Sequence, residues 1–441
     1  MQSPNAYHTT EWTYDSRAVL RYWFAVFWAL ILMRFVLSAN LLDKVVNYSA
    51  DGGFILAKIH PSTYGIFAVL IATLLSARIE LGSWELKALR ALITFVAVMT
   101  AISIFAVLMG HSGSIGYLLD SYLAACASAA LMLFFPQAWR EWLGSSLLIF
   151  IAASACVALV EFVLHIRFLP YPFEELSFRP TGLTEHPLVL GLFSAVGISF
   201  VAASRWTGVA KALTILIMLI GAFASGARVA SIVGAASALA AIAFHDWPSA
   251  SPQTRLRMKA ISLLAVALAV PVALAVLFSL GLFARFQNGL IDESALARVN
   301  IYRLFDLVSW NEILVGTDIG NIRRLAKFHF DLEFIESSLV MFIFQFGLIG
   351  TTILLLFMAR TFMVLLSGAS RYVYIGTAAF FLIAFGNNSL STKTPNVLMI
   401  MLLIVAFHGG RVAVRHTRIP VRSGRTPHTG IAPIAAINGR R

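Results

Sequence analysis

The chain has 441 residues, 59% of them hydrophobic and only 12% charged, with a net charge of +12 and a mean hydropathy of +0.83. Soluble globular domains carry about a quarter of their residues as Asp, Glu, Lys and Arg. Half that share, with long charge-free runs, excludes a soluble enzyme, a disordered chain and a collagen-like fibre, and such runs are foreign to β-barrel strands. The composition is that of an all-α, polytopic membrane protein.

The first residues, MQSPNAYHTTEWTYDSR, are polar for too long to form a cleaved signal peptide. Beyond them, a helix needs roughly 20 mostly apolar residues to cross the hydrocarbon layer. Twelve segments are expected to do so, at about 19–40, 62–77, 89–109, 115–136, 144–165, 187–204, 208–224, 229–244, 261–283, 337–359, 372–390 and 395–409. Spans one to nine occupy 1–283. A large polar loop follows over 284–336, then spans ten to twelve over 337–410 and a basic tail over 411–441. No internal repeat stands out, so an inverted-repeat transporter gains no support.

Lys and Arg set the orientation. With the N-terminus inside, the cytoplasmic side holds Arg78, Lys87, Arg90, Arg140, Arg205, Lys211, Arg255, Arg257, Lys259, Arg360 and Arg371. Between spans one and eight the opposite side holds Lys44, Lys58, Arg167, Arg179 and Arg228. The positive-inside rule then places both termini in the cytoplasm and the large loop on the outer face. The tail (Arg411, Arg415, Arg418, Arg422, Arg425, Arg440, Arg441, with no acid) is explained by that topology and by contact with anionic membrane lipids, so the net charge does not call for nucleic acid. Cys126 and Cys156 lie inside apolar runs, which supports neither a disulfide framework nor a zinc site.

The outer loop carries its own pattern. RVNIYRLFDLVSW places Val299, Leu304, Leu307 and Val308 near helical spacing, which predicts an amphipathic helix. Long ordered loops tend to carry function.

No Walker lysine, no GxGxxG after a strand, no Asp-x-Asp pair, no HExxH and no paired CxxC is present. An enzyme built this way takes a donor that is already activated and dissolved in the membrane. Candidate residues cluster at the outer surface. In EELSFRPTGLTEHP, Arg179 precedes a Pro-Thr-Gly turn followed by Glu185, His186 and Pro187. In ASGARVAS, Arg228 is flanked by small residues, and the loop adds Arg298, Arg303, the turn VGTDIGN and Glu336 before Ser337. Arginine at a membrane boundary is costly unless it is paired, snorkelled or functional. Small neighbours admit a bulky anion, and guanidinium groups bind phosphate oxygens two at a time. Each arginine taken singly also fits a snorkelling role, and convergence is an inference.

At these residues the chain resembles the bacterial O-antigen ligase and Wzy-type polysaccharide polymerase superfamily. Arg179, Gly182 and Pro187 match an Arg-x-x-Gly turn followed by proline. Ser225, Arg228 and Ser231 match a Ser-rich turn with arginine. Arg298, Gly316, Gly320, Glu336, Gly347 and Gly350 match the loop pattern. Two departures matter: Glu336-Ser337 stands where relatives carry histidine then asparagine, and Leu188 stands where asparagine is usual. The first makes an exopolysaccharide polymerase a better match than a ligase.

The resemblance implies a polymerase at the periplasmic face of the bacterial inner membrane. It would join undecaprenyl-diphosphate-linked oligosaccharide repeat units to a growing polysaccharide by metal-independent, inverting transfer, beside a chain-length regulator or export complex. Arg179 and Arg228 would be catalytic, holding the diphosphate with Arg298. Glu336 would be the base, and Arg303, His186 and Tyr302 would bind substrate. For Glu336 two readings stand open, a base and a carboxylate favoured by a helix N-terminus. His186 competes as base, with His329 weaker. Tyr302, Phe328 and Phe330 are candidates for stacking on sugars. No cofactor is implied. The alternatives are a ligase using another acceptor and a flippase moving the same lipid. Against the flippase, Asp120 and Glu161 are the main acids within spans, and both lie towards span ends.

Overall fold

A computed structural model describes residues 12–49, 55–111, 115–172, 178–245, 251, 253–261, 264, 299–332 and 334–409. Expected span nine, Arg298 and the basic tail lie outside these residues. Among the described residues the chain is helical and forms no strand. Among the described residues, four helices have segments long and apolar enough to cross a membrane: Arg17–Val36, Ser83–Leu108, Gln137–Leu164 and Ser338–Leu366. Seven further apolar helices are shorter.

The helices are α1 (Trp12–Val36), α2 (Ala39–Leu42), α3 (Pro61–Ser76), α4 (Ser83–Leu108), α5 (Ala124–Leu133) and α6 (Gln137–Leu164). They continue with α7 (Pro187–Ala203), α8 (Gly208–Ala224), α9 (Arg228–Ala243), α10 (Trp310–Val315), α11 (Ile319–Phe330), α12 (Ser338–Leu366), α13 (Arg371–Phe385) and α14 (Asn396–Phe407). A helix apolar on every side belongs inside a bundle. Accordingly α14 is buried along its whole length, and α7 is buried at every position but Leu188.

Polar ends define two poles. At one, Arg140 at the start of α6 pairs with Glu85 of α4 at 2.9 Å and Arg205 pairs with Glu141 at 2.9 Å. There His408, just past α14, stacks on Trp84 with ring centroids 3.5 Å apart. The other pole gathers the ends of α1, α6, α8 and α13 and the starts of α3, α7, α9, α12 and α14, and it carries the candidate site.

Two expected spans, 115–136 and 337–359, are distorted along their length. The span over 115–136 opens with a π-helical stretch, Leu118–Leu123, a distortion that recurs at functional sites. Its Asp120 is buried and accepts from the Tyr48 hydroxyl (2.8 Å), the Thr63 hydroxyl (2.8 Å) and the His60 amide (3.0 Å). Helix α12 breaks at Gly347 (φ 73°). The Phe344 carbonyl turns to the Thr317 amide (2.6 Å), and a Cβ on Gly347 would lie 2.2 Å from the Leu314 carbonyl oxygen.

The last two expected spans, 372–390 and 395–409, shrink to α13 and α14. Twelve residues of helix cover only about 18 Å, and residues 386–395 between the two are non-helical. Much of this irregular backbone is buried, and its polar groups are satisfied by protein groups. Ser338 Oγ donates to Asn387 O (2.7 Å) and accepts from Leu390 N (3.0 Å). Tyr122 donates to Leu390 O (2.8 Å), Ser121 to Thr392 O (2.7 Å) and Arg34 Nη2 to Lys393 O (3.2 Å).

The amphipathic helix predicted within 284–336 exists, and Leu304 and Val308 of its expected apolar face pack inward. Ile301 and Leu304 enter a small core with Ile319, Ile322, Ala326, Ile335, Val340, Met341 and Phe344. Val299 and Leu307 are exposed. The helix tightens to a 3₁₀ turn over Leu304–Leu307 and ends there, with Val308 in extended conformation.

Candidate functional site

The Arg179 turn is built from α6. Glu161, fully buried, accepts three backbone amides: Thr181 (2.8 Å), Gly182 (2.7 Å) and Phe168 (2.9 Å). Ser154 Oγ accepts the Leu183 amide at 3.0 Å. Gly182 has φ 58°, and a Cβ there would lie 2.3 Å from the Ser154 carbonyl oxygen, so this approach requires glycine. Arg167 Nε donates to the Arg179 carbonyl at 3.2 Å, and its guanidinium lies 4.2 Å from the Tyr171 ring centroid and 5.1 Å from that of Phe178.

Arg179 is 7% exposed. Its Nε donates to the Ser225 carbonyl at 2.9 Å. A Cβ on Gly226 (φ 64°) would stand 3.2 Å from that nitrogen, so the small residues of this turn let the guanidinium approach. Ser225 Oγ accepts the Ala227 amide at 3.2 Å, and the next residue, half-buried Arg228, begins α9. The turns carrying Arg179 and Arg228 therefore adjoin, although 46 positions separate Arg179 from Ser225.

His186 caps α7. Its Nδ1 accepts the Leu188 amide at 3.1 Å, and its Nε2 meets the Tyr171 hydroxyl at 3.3 Å. Burial, with the Arg179 and Arg167 charges beside it, pushes the imidazole from 6.5 down to about 3. Both ring nitrogens are engaged, Nδ1 as the acceptor that caps α7 and Nε2 with Tyr171. Glu336, half-buried, lies one residue before Ser337, whose side chain caps α12 by accepting the Val340 amide at 3.4 Å. Glu336 thus stands at the N-terminal end of α12, where the helix dipole favours a carboxylate. Ser338 ties this entrance to residues 387–390.

Tyr302, Arg303 and Phe328 are exposed on the outer-loop module, as is His329, while Phe330 packs against its core. Among the described residues, no group of three or more His, Cys, Asp and Glu side chains is placed to hold a metal ion.

The sequence reading missed the buried charges next to this turn. Arg34, 2% exposed in the last turn of α1, sits with Lys393, whose Nζ donates to the carbonyls of Tyr48 and Lys58 at 3.0 Å each. Glu185 accepts the Ala39 amide at 3.2 Å, and Asn40 donates to the Glu185 carbonyl at 3.0 Å. Burial raises the Glu185 carboxyl above its ordinary range, against the pull of Arg34. Lys393 was visible as a charge inside the polar interruption NNSLSTKTPN, and Arg34 as a charge near the end of the first apolar run. Neither had a sequence neighbour to point to its partner. The Arg34 charge thus acts on Glu185, and the Arg179 and Arg167 charges on His186 next to it. No protein-family model matches the chain, and no curated protein matches it significantly.

Proposed function

We propose that the protein is a glycosyltransferase of the bacterial inner membrane, joining undecaprenyl-diphosphate-linked oligosaccharide repeat units into a polysaccharide at the periplasmic face. Twelve spans with cytoplasmic termini fit this reading, with the ninth falling in 261–283. The observation that carries it is Arg179 laid against the small-residue turn that ends at Arg228. Two guanidinium-bearing turns in one place make a site for a diphosphate, and the adjoining Arg167 and Arg34 add positive field. In the reaction, an acceptor hydroxyl oxygen attacks the anomeric carbon of the donor sugar. The bond from that carbon to the diphosphate oxygen breaks, and the carrier diphosphate leaves with the electron pair. Arg179 and Arg228, with Arg298, stabilise that charge as it builds, and Glu336 takes the hydroxyl proton. Displacement from the opposite face inverts the anomeric configuration.

The test uses purified protein in detergent with a lipid-linked oligosaccharide and neither gradient nor nucleotide. A ladder of lengthened products is expected. A ligase makes product only with its own acceptor, and a flippase makes none. Glu336→Gln should keep donor binding and lose turnover; a normal ladder from this variant puts the base elsewhere. The flippase reading draws on one observation, the buried Arg34, Asp120 and Lys393 among the helices, since buried charges mark transport pathways.

A further inference from the structure

Beyond its break at Gly347, helix α12 runs without interruption over 348–366, about 28 Å, which by itself nearly matches a hydrocarbon layer of about 30 Å. Its inner end reaches the opposite pole, where Ser367 accepts from His408 at 2.8 Å. The stretch from Ser338 to the break at Gly347 therefore stands at the headgroup layer, beyond that span. The outer-loop module is fastened to this stretch. Ile319 and Ile322 share a core with Val340, Met341 and Phe344, and Gly316 abuts Gly347. So α11 lies at headgroup depth.

Its composition suits that place. Ile319, Ile322 and Ala326 face the module's core, which leaves Arg324 and Phe328, one turn apart, in the middle of the outward face. Arg323 and Lys327 flank them and are also exposed, and the helix contains no acid. Phe328 is 85% exposed, and Trp310 on neighbouring α10 is 77% exposed. Bulky aromatic rings beside Lys and Arg are what the interfacial layer accepts: rings enter the acyl boundary while cations meet lipid phosphates. The basic face is complementary to anionic headgroups, each Lys or Arg adding to the attraction.

We propose that α11 is an interfacial element that binds anionic phospholipid headgroups of the outer leaflet through Arg324 and Lys327, with Phe328 inserted beside them. This surface anchors the outer-loop module to the bilayer. It is separate from glycosyl transfer and would exist in a flippase as well.

The experiment uses the full chain with Asn321→Cys on the outward face and Cys156→Ser, Cys126 being buried, carrying a nitroxide in nanodiscs. Collision with membrane-soluble oxygen is compared with collision with a water-soluble nickel chelate. In discs with about one third phosphatidylglycerol, the oxygen-to-nickel ratio should be about threefold or more above that in pure phosphatidylcholine. Arg324→Glu with Lys327→Glu should abolish that rise. Equal ratios in both discs, or a rise that survives charge reversal, overturn the proposal. So does polygalacturonate shielding the label in phosphatidylcholine discs while phosphatidylglycerol does not, which would make the face a receptor for acidic glycan. No sugar donor is present in the lipid comparison, so its outcome is independent of the polymerase ladder.

Discussion

The segment 178–187 and the module 299–332 share one pole of the molecule but are held by different means. The first has no core of its own. It is fixed from outside, by a fully buried Glu161 that accepts three of the surrounding amides and by Ser154 beneath Gly182. The second carries its own small core and local caps. Ser309 and Glu312 form a reciprocal capping box, and Asp318 caps α11 by accepting the Asn321 amide at 3.1 Å. A buried carboxylate with three amide donors gives a rigid mount, because any displacement strands charge and amides together. Local caps contribute about 1 kcal/mol each and act within one helix. The difference teaches where to look for chemistry: Arg179 is on the rigid mount, while Tyr302 and Arg303 are on the locally held module.

The largest expected effect tests the mount's purpose. Arg179→Ala and, separately, Arg228→Ala should lower polymer yield by about 100-fold or more at unchanged membrane level. Gel analysis of polymer from cells checks this, and wild-type yield from either variant removes that arginine from the site. Next, Glu161→Ala should cost about 3–5 kcal/mol by stranding the amides of Phe168, Thr181 and Gly182. Thermal unfolding in detergent reads it, and an unchanged midpoint would mean those amides have other acceptors.

A smaller effect comes from pH. His186 titrates near 6.5 in an unfolded chain and at about 3 in the folded one. Between these values the unfolded state binds the extra proton, so stability falls as pH falls from 6.5 towards 3. Burial and the Arg34 charge lower His60 to about 4, giving it the same sign. His186→Asn, which keeps a capping side chain, should therefore flatten only part of that slope in unfolding measured across pH. The smallest effect falls on the module: Ser309→Ala should cost about 1 kcal/mol, seen as faster amide exchange over 310–315 with the global midpoint unmoved. A global shift from this change would mean that the module is as tightly coupled to the bundle as the Arg179 turn.

Much of the helical order could be read directly. Long charge-free runs mark apolar helices because the cost of burying charge in lipid is local and additive along the chain. Helix α7 could be read from the proline after His186, and α9 from the arginine after ASGA. The interruptions were harder. Nothing in LLDSYL announces a π-helical stretch, since its cause is Asp120 reaching for Tyr48, Thr63 and His60. Nor did 386–395 declare itself as non-helical, because its backbone is satisfied by Ser338, Tyr122, Ser121 and Arg34, all remote in sequence. Over 299–308 the helical period was legible, yet Ile301 turned inward with Leu304 because the residues they pack on, Ile319, Ile322 and Phe344, come from later elements.

By itself, then, the order of residues determined the all-helical class, most helix positions and the small-residue character of the turn before Arg228, since these follow from apolar content and from glycine and proline placed locally. Tertiary structure alone decided that Arg179 lies against Ser225, that Glu161 serves a backbone turn rather than a charge partner, and that Arg34 meets residues 387–396. Those are encounters between polar groups far apart in the chain. Each is selected by the need to satisfy a buried donor or acceptor, which leaves no periodic trace in sequence.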